Sequence, residues 1–255
     1  MEITSYKKIK SNLYEVEIDY KEKYKIYDDL ILKYELLIYK DIDKNKLERL
    51  LKENEMIDAY FKGLKYIGIK MRTEKELREY FKKRELSDVS IDYAIKRLIN
   101  DGYLNNEKYA EFYIKDAVNL SSNGPRKIED NLKKLGIPSN LISKYLDRVN
   151  NEVWLNRIEK IIDKKAKSNK NSAAIFKNKM YNYLLTLGYT PEQINCIIKN
   201  YVINTEDAFK KEADKAYRIL AKKYNNEELK YKFKSKMYSK GFKSDEINDY
   251  LSNIE

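Results

Sequence analysis

The sequence predicts a mainly α protein, a tandem array of three-helix modules behind a small N-terminal β segment. Three observations carry that expectation. A register recurs at Glu85, Gly136, Gly188 and Gly241, spaced 51, 52 and 53 residues apart. Four positions before each marker stands an apolar residue (Phe81, Leu132, Leu184, Met237), and another follows one position after it (Leu86, Ile137, Tyr189, Phe242). Ile91, Ile142, Ile194 and Ile247 come next, and each copy closes on apolar residues at helical spacing, Ile95/Leu98, Leu146/Val149, Ile198/Tyr201 and Leu251/Ile254. The second observation is scarcity of turn material, seven Gly and three Pro in 255 residues, which makes long helices the economical reading. The third is 36% charged residues, so every helix needs a wide solvated face. A stack of such modules predicts an elongated surface rather than one deep pocket.

Taken in order, residues 1–45 read as the β segment. Leu13, Tyr14, Val16 and Ile18 alternate with Glu15, Glu17 and Asp19, and Tyr24, Ile26 and Tyr27 follow, as in a hairpin. Leu36 to Tyr39 is the expected third strand, with a short helix over Asp28 to Tyr34. The period then becomes helical. Module 1 (46–103) holds a long helix ending near Tyr66 to Gly68, a second opened by the capping box Thr73-Glu74-Lys75-Glu76, and a third from about Ser90 to Asn100, stopped by Gly102. Module 2 (104–150) runs Asn106 to Leu120, then a helix with Pro125 at its first position, then one opened by Ser139. Module 3 (151–203) ends with a helix introduced by Thr190-Pro191-Glu192-Gln193, and module 4 (204–255) closes with Ser244-Asp245-Glu246-Ile247. Gly136, Gly188 and Gly241 read as left-handed residues after the second helix of each module, a structural role rather than a ligand site.

Composition excludes much chemistry. Without histidine and with Cys196 alone, His-dependent triads, His-bearing metal sites and intrachain disulfides are ruled out. Cys196, between Ile194 and Ile197, is expected to be buried. No glycine-rich phosphate loop or nucleophile elbow occurs, and the acids gather at helix starts, where the dipole favours them. A non-enzymatic protein needing no metal and no cofactor is therefore expected. No apolar segment reaches membrane-span length, and the expected location is the cytoplasm.

Charge is uneven. Residues 1–60 carry 12 basic and 14 acidic side chains, net −2, although the chain as a whole is +11. Residues 121–200 carry 15 basic and 7 acidic, net +8, and no acid stands between Asp163 and Glu192. Such a stretch suits phosphates or an acidic protein surface, where a solvated helix face is the plain alternative.

Over Arg72 to Leu146 the sequence resembles the RecX family, bacterial regulators of the RecA recombinase. The pieces are Arg72-Thr73 with Glu76-Leu77, Leu98 with Gly102-Tyr103-Leu104, Tyr109-Ala110, Gly124-Pro125-Arg126 with Ile128 and Leu132, and Gly136-Ile137 with Ile142. Asn105 and Asn106 depart from the acids usual there, which removes charge while keeping a good cap. The likeness is densest in module 2. It implies a curved array and, as partner, a RecA filament on single-stranded DNA, in whose groove the protein lies as a monomer to restrain ATP turnover, strand exchange and co-protease activity. The alternative is a protein that binds nucleic acid directly without a recombinase. Partner-binding candidates are Arg72, Arg78, Arg97, Arg126, Lys127, Lys133 and Lys134. Arg126 and Lys127 stand out because a basic pair at a helix start opposes the dipole and invites an anion from outside. Lys164, Lys165, Lys167 and Lys170 are the candidates for nucleic-acid contact.

Overall fold

In the computed structural model, which describes residues 1–254, the chain opens with an antiparallel meander of β1 (Ile3–Lys10), β2 (Leu13–Ile18) and β3 (Glu22–Tyr27). β2 and β3 are the expected hairpin, with Val16 opposite Tyr24 and Tyr14 opposite Ile26. The third strand is β1, which pairs Tyr6 with Val16, and not Leu36 to Tyr39. After α1 (Asp28–Lys33) the chain turns on Glu35, at φ +52, whose carbonyl accepts from the N–H groups of Ile38 and Tyr39. That turn anchors Leu36 in the core and leaves Leu37, Ile38 and Tyr39 exposed. A short apolar run reads alike as a strand or as a turn with one anchor, and here local hydrogen bonding favours the turn.

The twelve further helices among the described residues follow in four triplets: α2 (Lys44–Ile67), α3 (Glu74–Lys82) and α4 (Asp88–Asn100); α5 (Asn106–Leu120), α6 (Pro125–Lys134) and α7 (Ser139–Leu146); α8 (Asn151–Ala166), α9 (Ala173–Thr186) and α10 (Pro191–Ile198); α11 (Glu206–Leu220), α12 (Asn226–Ser239) and α13 (Ser244–Ser252). The capping boxes Thr73/Glu76 and Thr190/Gln193 both form, and Pro125 and Pro191 occupy first helical positions. Ser87, capping through the Ser90 N–H, starts α4 two residues earlier than expected.

These residues make two compact units. The first comprises Met1–Phe112 with Leu132–Leu141, the second Tyr113–Asn131 with Ile142–Glu255. In the first unit one core joins the sheet to the start of α2 around Val16, Ile26, Leu30 and Leu50. Another joins α2, α3 and α4 around Leu77, Phe81, Ile91 and Leu98. In the second unit α8 packs on α9 and α10, burying Trp154, Ile158, Leu184 and Ile194, and the last triplet has its own core around Phe233, Met237 and Ile247.

The repeated register is a repeated turn. At all four markers the residue after the marker donates its N–H to the carbonyl five back: Leu86 to Phe81, Ile137 to Leu132, Tyr189 to Leu184 and Phe242 to Met237, at 3.4, 3.0, 3.2 and 3.3 Å. The marker itself donates to the carbonyl three back, at 2.8 to 3.0 Å, completing a Schellman motif each time. All four markers have positive φ, +57 at Glu85 and +81, +86 and +78 at the glycines. The apolar residues that close each turn on its core, Phe81, Leu132, Leu184 and Met237, are fully buried. Each such side chain contributes about 1.5–3 kcal/mol of transfer free energy.

Space adds a second reason for the three glycines. A Cβ on Gly136 would lie 2.9 Å from the Cβ of Lys75 near the start of α3. One on Gly188 would lie 2.4 Å from the Lys127 backbone nitrogen at the start of α6, and one on Gly241 would meet Ser172 Oγ and Ile175 at the start of α9. The turn that ends a second helix therefore docks on the start of the preceding triplet's second helix. Hydrogen bonds seal these joints: Gly124 and Arg126 N–H donate to the carbonyls of Leu187 (2.6 Å) and Gly188 (3.0 Å), and Ser172 N–H donates to Lys240 (2.9 Å). Lys75 Nζ donates to the Lys134 carbonyl at 2.9 Å. The end of one helix thus satisfies the start of another.

Two expected core positions differ. Cys196 is exposed. Ile194 and Ile198, four apart, set the buried stripe of α10, and a residue two positions from each lies on the opposite face. Ile254, expected to close the last stripe, is 41% exposed.

Candidate functional site

The three candidate arginines of the first triplet, Arg72, Arg78 and Arg97, are engaged within the fold. Arg72 Nη1 donates to Glu76 Oε1 at 3.1 Å, and its guanidinium lies 4.2 Å over the Tyr66 ring. Tyr66 stacks on Tyr80 at 4.0 Å and Tyr80 carries Arg84 at 3.7 Å, so cation, ring, ring and cation form one pile. Only 15% of the Arg72 side chain is exposed, and its buried Nε has no hydrogen-bond partner. Arg78 bridges Glu74 (2.9 Å) and Asp92 (2.7 Å), tying α3 to α4. Arg97 lies 4.1 Å over Tyr60, whose hydroxyl donates to Asp101 at 2.7 Å.

On α6, Arg126, Lys127, Lys133 and Lys134 are all exposed. The helix start that makes Arg126 and Lys127 unusual already faces the carbonyl-rich end of α9, through the bonds from Gly124 and Arg126 to Leu187 and Gly188. Arg126 also helps to hold the Glu192 carboxyl below its usual range, after the stronger effects of Glu192's own backbone N–H and of Thr190. The backbone N–H groups at this helix start are thus met by carbonyls of the fold itself, while the Arg126 and Lys127 side chains stay exposed.

Lys164, Lys165, Lys167 and Lys170 are exposed at the end of α8 and in the connection to α9. Two hollows share Ser168, Asn169 and Lys170. One, of about 390 Å³, reaches α11 and includes Lys167 and Lys211 but also Asp207 and Glu212. The other, of about 300 Å³, has no acidic lining residue. Lys165, Lys170 and Lys179 surround it, and Phe176, Met180 and Tyr183 form its apolar wall. Lys164 lines neither hollow. The connection is built by its own amides: Asn169 Nδ2 donates to the Asn171 carbonyl (2.6 Å), Asn171 N–H returns a bond to Asn169 Oδ1 (3.0 Å), and Lys179 Nζ donates to Asn171 Oδ1 (3.2 Å). Ser172 then caps α9 through the Ile175 N–H. Phe176, Met180 and Tyr183 were not singled out from the sequence. Their three-and-four spacing, which places them on one helix face, was the signal available.

A larger hollow of about 630 Å³ lies in the first unit, where Lys10, Lys25, Lys62 and Lys65 share the lining with Glu55 and Asp58. Both carboxylates are satisfied. Asp58 pairs with Lys62 at 2.6 Å and accepts from Tyr27 at 3.0 Å, and Glu55 accepts from the Ser87 N–H and hydroxyl. Among the described residues no group of His, Cys, Asp and Glu is arranged to hold a metal, and no helix is long and apolar enough to cross a membrane.

Residues 59–98, within the first triplet, match the family model described as RecX, first three-helix domain. The chain is 30% identical over 256 aligned residues to a protein of Streptococcus agalactiae serotype III named Regulatory protein RecX, covering 98% of both chains. It belongs to the RecX family. A RecX regulatory protein of Bacillus cytotoxicus is 27% identical, with 93% of this chain and 95% of that one covered. Among solved structures, a crystal structure of regulatory protein RecX superposes with a TM-score of 0.69 at 19% identity over 78% of this chain and 99% of its own. RecX from Lactobacillus salivarius superposes with a TM-score of 0.55 at 27% identity, covering 58% and 96%. The fold is thus that of RecX proteins, mainly helical with three-helix units and a small N-terminal sheet. The family-model match lies in the first triplet, whereas the motif pieces read from the sequence are densest in the second.

Proposed function

We propose that this chain is a non-enzymatic modulator of a RecA recombinase, which it restrains by binding the filament that RecA forms on single-stranded DNA. The observation that carries this reading is kinship over nearly the whole length with proteins named as RecX regulators. In the proposal a monomer in the cytoplasm lies along the filament groove and slows ATP hydrolysis, strand exchange and co-protease activity. The exposed bases of α6, Arg126, Lys127, Lys133 and Lys134, meet the recombinase, and Lys164, Lys165, Lys167 and Lys170 lie toward the strand. Arg72, Arg78 and Arg97 act on the partner only through the surface they hold in place, because their charges are engaged internally.

The test is titration of ATP hydrolysis and strand exchange by the cognate recombinase with this protein. Dose-dependent inhibition is expected, and no change in either activity, with the protein folded, defeats the reading. Charge reversal at Arg126, Lys127, Lys133 and Lys134 should weaken inhibition and leave Tm nearly unchanged; equal loss of both would make the patch structural. The acid-free hollow beside α9 favours a second reading, direct binding of nucleic acid without a recombinase. Tight binding to naked DNA with a steep salt dependence supports it. Weak binding that recombinase strengthens supports the first.

A further inference from the structure

The acid-free hollow has features that a general basic surface lacks. Its volume of about 300 Å³ is of the order of a single nucleoside. Phe176 and Met180 are 5% and 4% exposed and make a fixed apolar floor, while Tyr183 is 37% exposed at its wall. Lys165 holds its ammonium 5.0 Å from the Tyr183 ring centroid, and Lys179 is positioned by Asn171. Asn169 and Asn171 lock the connecting loop through their mutual bonds, so the rim is formed before any ligand arrives. No carboxylate stands in the lining or anywhere in the chain between Asp163 and Glu192.

We infer that this hollow is a nucleotide pocket, which takes one unstacked base of a single strand against Tyr183 and Met180 while Lys165, Lys170 and Lys179 bind the flanking phosphates. The chemistry selects this occupant over the others. An acidic peptide would satisfy the lysines but leave the exposed ring and the base-sized recess without a planar partner. A duplex would present phosphates and keep its bases stacked. An unstacked nucleotide brings both a flat apolar face and adjacent negative charge, and aromatic stacking tolerates any base sequence. The larger hollow in the first unit does not fit as well, because Glu55 and Asp58 share its lining.

This inference rests on the part of the proposed function that brings single-stranded nucleic acid to the basic stretch, and its test separates the two. Binding of the full chain to a fluorescent oligo-dT strand is measured beside an abasic strand of equal length and charge, across a salt series without recombinase. The base-bearing strand is expected to bind roughly tenfold more tightly, a value within the range for one stacked base. Tyr183→Ala should abolish that preference with an unchanged salt slope, whereas Lys165→Ala with Lys170→Ala should flatten the slope and keep the preference. The melting curve of the double lysine variant should match the parent, because both side chains are exposed, and binding by Tyr183→Ala is read well below its own melting transition, since a ring that is 37% exposed also contributes packing. Equal affinity for the two strands, or a preference that survives Tyr183→Ala, overturns the pocket. Displacement of the strand by polyglutamate as effectively as by unlabelled oligo-dT overturns it in favour of an acidic protein ligand. If the chain inhibits the recombinase but shows no base preference, the pocket fails and the modulator stands. A base preference without inhibition leaves the pocket standing alone.

Discussion

At residue 85 the first triplet places a glutamate in the left-handed conformation, φ +57, where the third triplet places Gly188, φ +86. Both turns carry the same pair of Schellman hydrogen bonds, so local geometry is not what separates them. Gly188 is pressed against the backbone of Lys127, and Glu85 is exposed in the triplet that follows the sheet and α1. The charges differ in the same sense. Arg72, Arg78 and Arg97 of the first triplet are committed to Glu76, Glu74, Asp92 and the rings of Tyr66 and Tyr60, whereas Lys165, Lys170 and Lys179 of the third line a hollow with no acid in its lining. Residue type alone does not tell a docked turn from a free one, or a structural cation from an available one. The neighbours decide.

The comparison breaks most readily at the joint. Gly188→Ala requires an L-residue in the left-handed region, at about 1–2 kcal/mol, and sets a methyl within 2.4 Å of a backbone nitrogen. With overpacking of about 1–3 kcal/mol added, the expected loss is roughly 2–5 kcal/mol, read as a large fall in the denaturant midpoint. A loss no greater than the conformational cost alone would mean that the joint yields and that close approach is not what selects glycine.

Next comes the contrast between engaged and available charge. Arg72→Ala removes the ion pair with Glu76 and the cation from the Tyr66 stack, and about 1–3 kcal/mol of stability should go with it. Lys170→Ala should stay within about 0.5 kcal/mol of the parent. Comparable losses for the two in chemical denaturation would erase the distinction.

Most of the scaffold was legible because periodicity and caps are local. Thr73 with Glu76, Thr190 with Gln193, Pro125 and Pro191 placed their helix starts within a residue, and the marker register named buried residues such as Phe81 and Leu184. Misreadings came where the decisive partner was distant or the period was misjudged. Leu36 to Tyr39 looked like a strand until one residue proved to be the anchor of a turn. Cys196 looked buried because Ile194 and Ile197 flank it, yet α10 buries the 194/198 stripe. At the candidate site the lysine run was plain, but Tyr183 was not, because its value depends on what shares its hollow. At the start of α6 the carbonyls that meet the Gly124 and Arg126 N–H groups lie some sixty residues downstream, out of reach of a local reading.

A smaller effect should be common to both regions. Tyr60 donates to Asp101 in the first triplet and Tyr201 to Asp163 in the third, each at 2.7 Å. Burial, then the hydrogen bond to the carboxylate, pushes each phenol up to about 12. A raised pKa means that the stabilisation is complete below the ordinary tyrosine value near 10 and is lost as pH rises from there to about 12. Tyr60→Phe and Tyr201→Phe should each cost about 1 kcal/mol at neutral pH and flatten the alkaline limb of the stability curve by similar amounts. A clear inequality between them would extend the difference between triplets to their hydrogen bonds.

The smallest expected change returns to residue 85. Glu85→Gly relieves a left-handed L-residue and removes a negative charge from the C-terminal end of α3, where the dipole disfavours it. Against this, glycine adds freedom to the unfolded chain, which costs about 0.4–1 kcal/mol. The net gain should be roughly 0.5 kcal/mol, a rise in Tm of about 1–2 °C for a chain of this length. Glu85→Ala separates the two contributions, because it removes the charge and keeps the Cβ. If alanine gains as much as glycine, relief of charge accounts for the effect and the left-handed turn costs little here. If alanine gains nothing, the backbone conformation is what the first triplet tolerates. The three later turns, which must also make room for a neighbouring helix start, do not have that latitude.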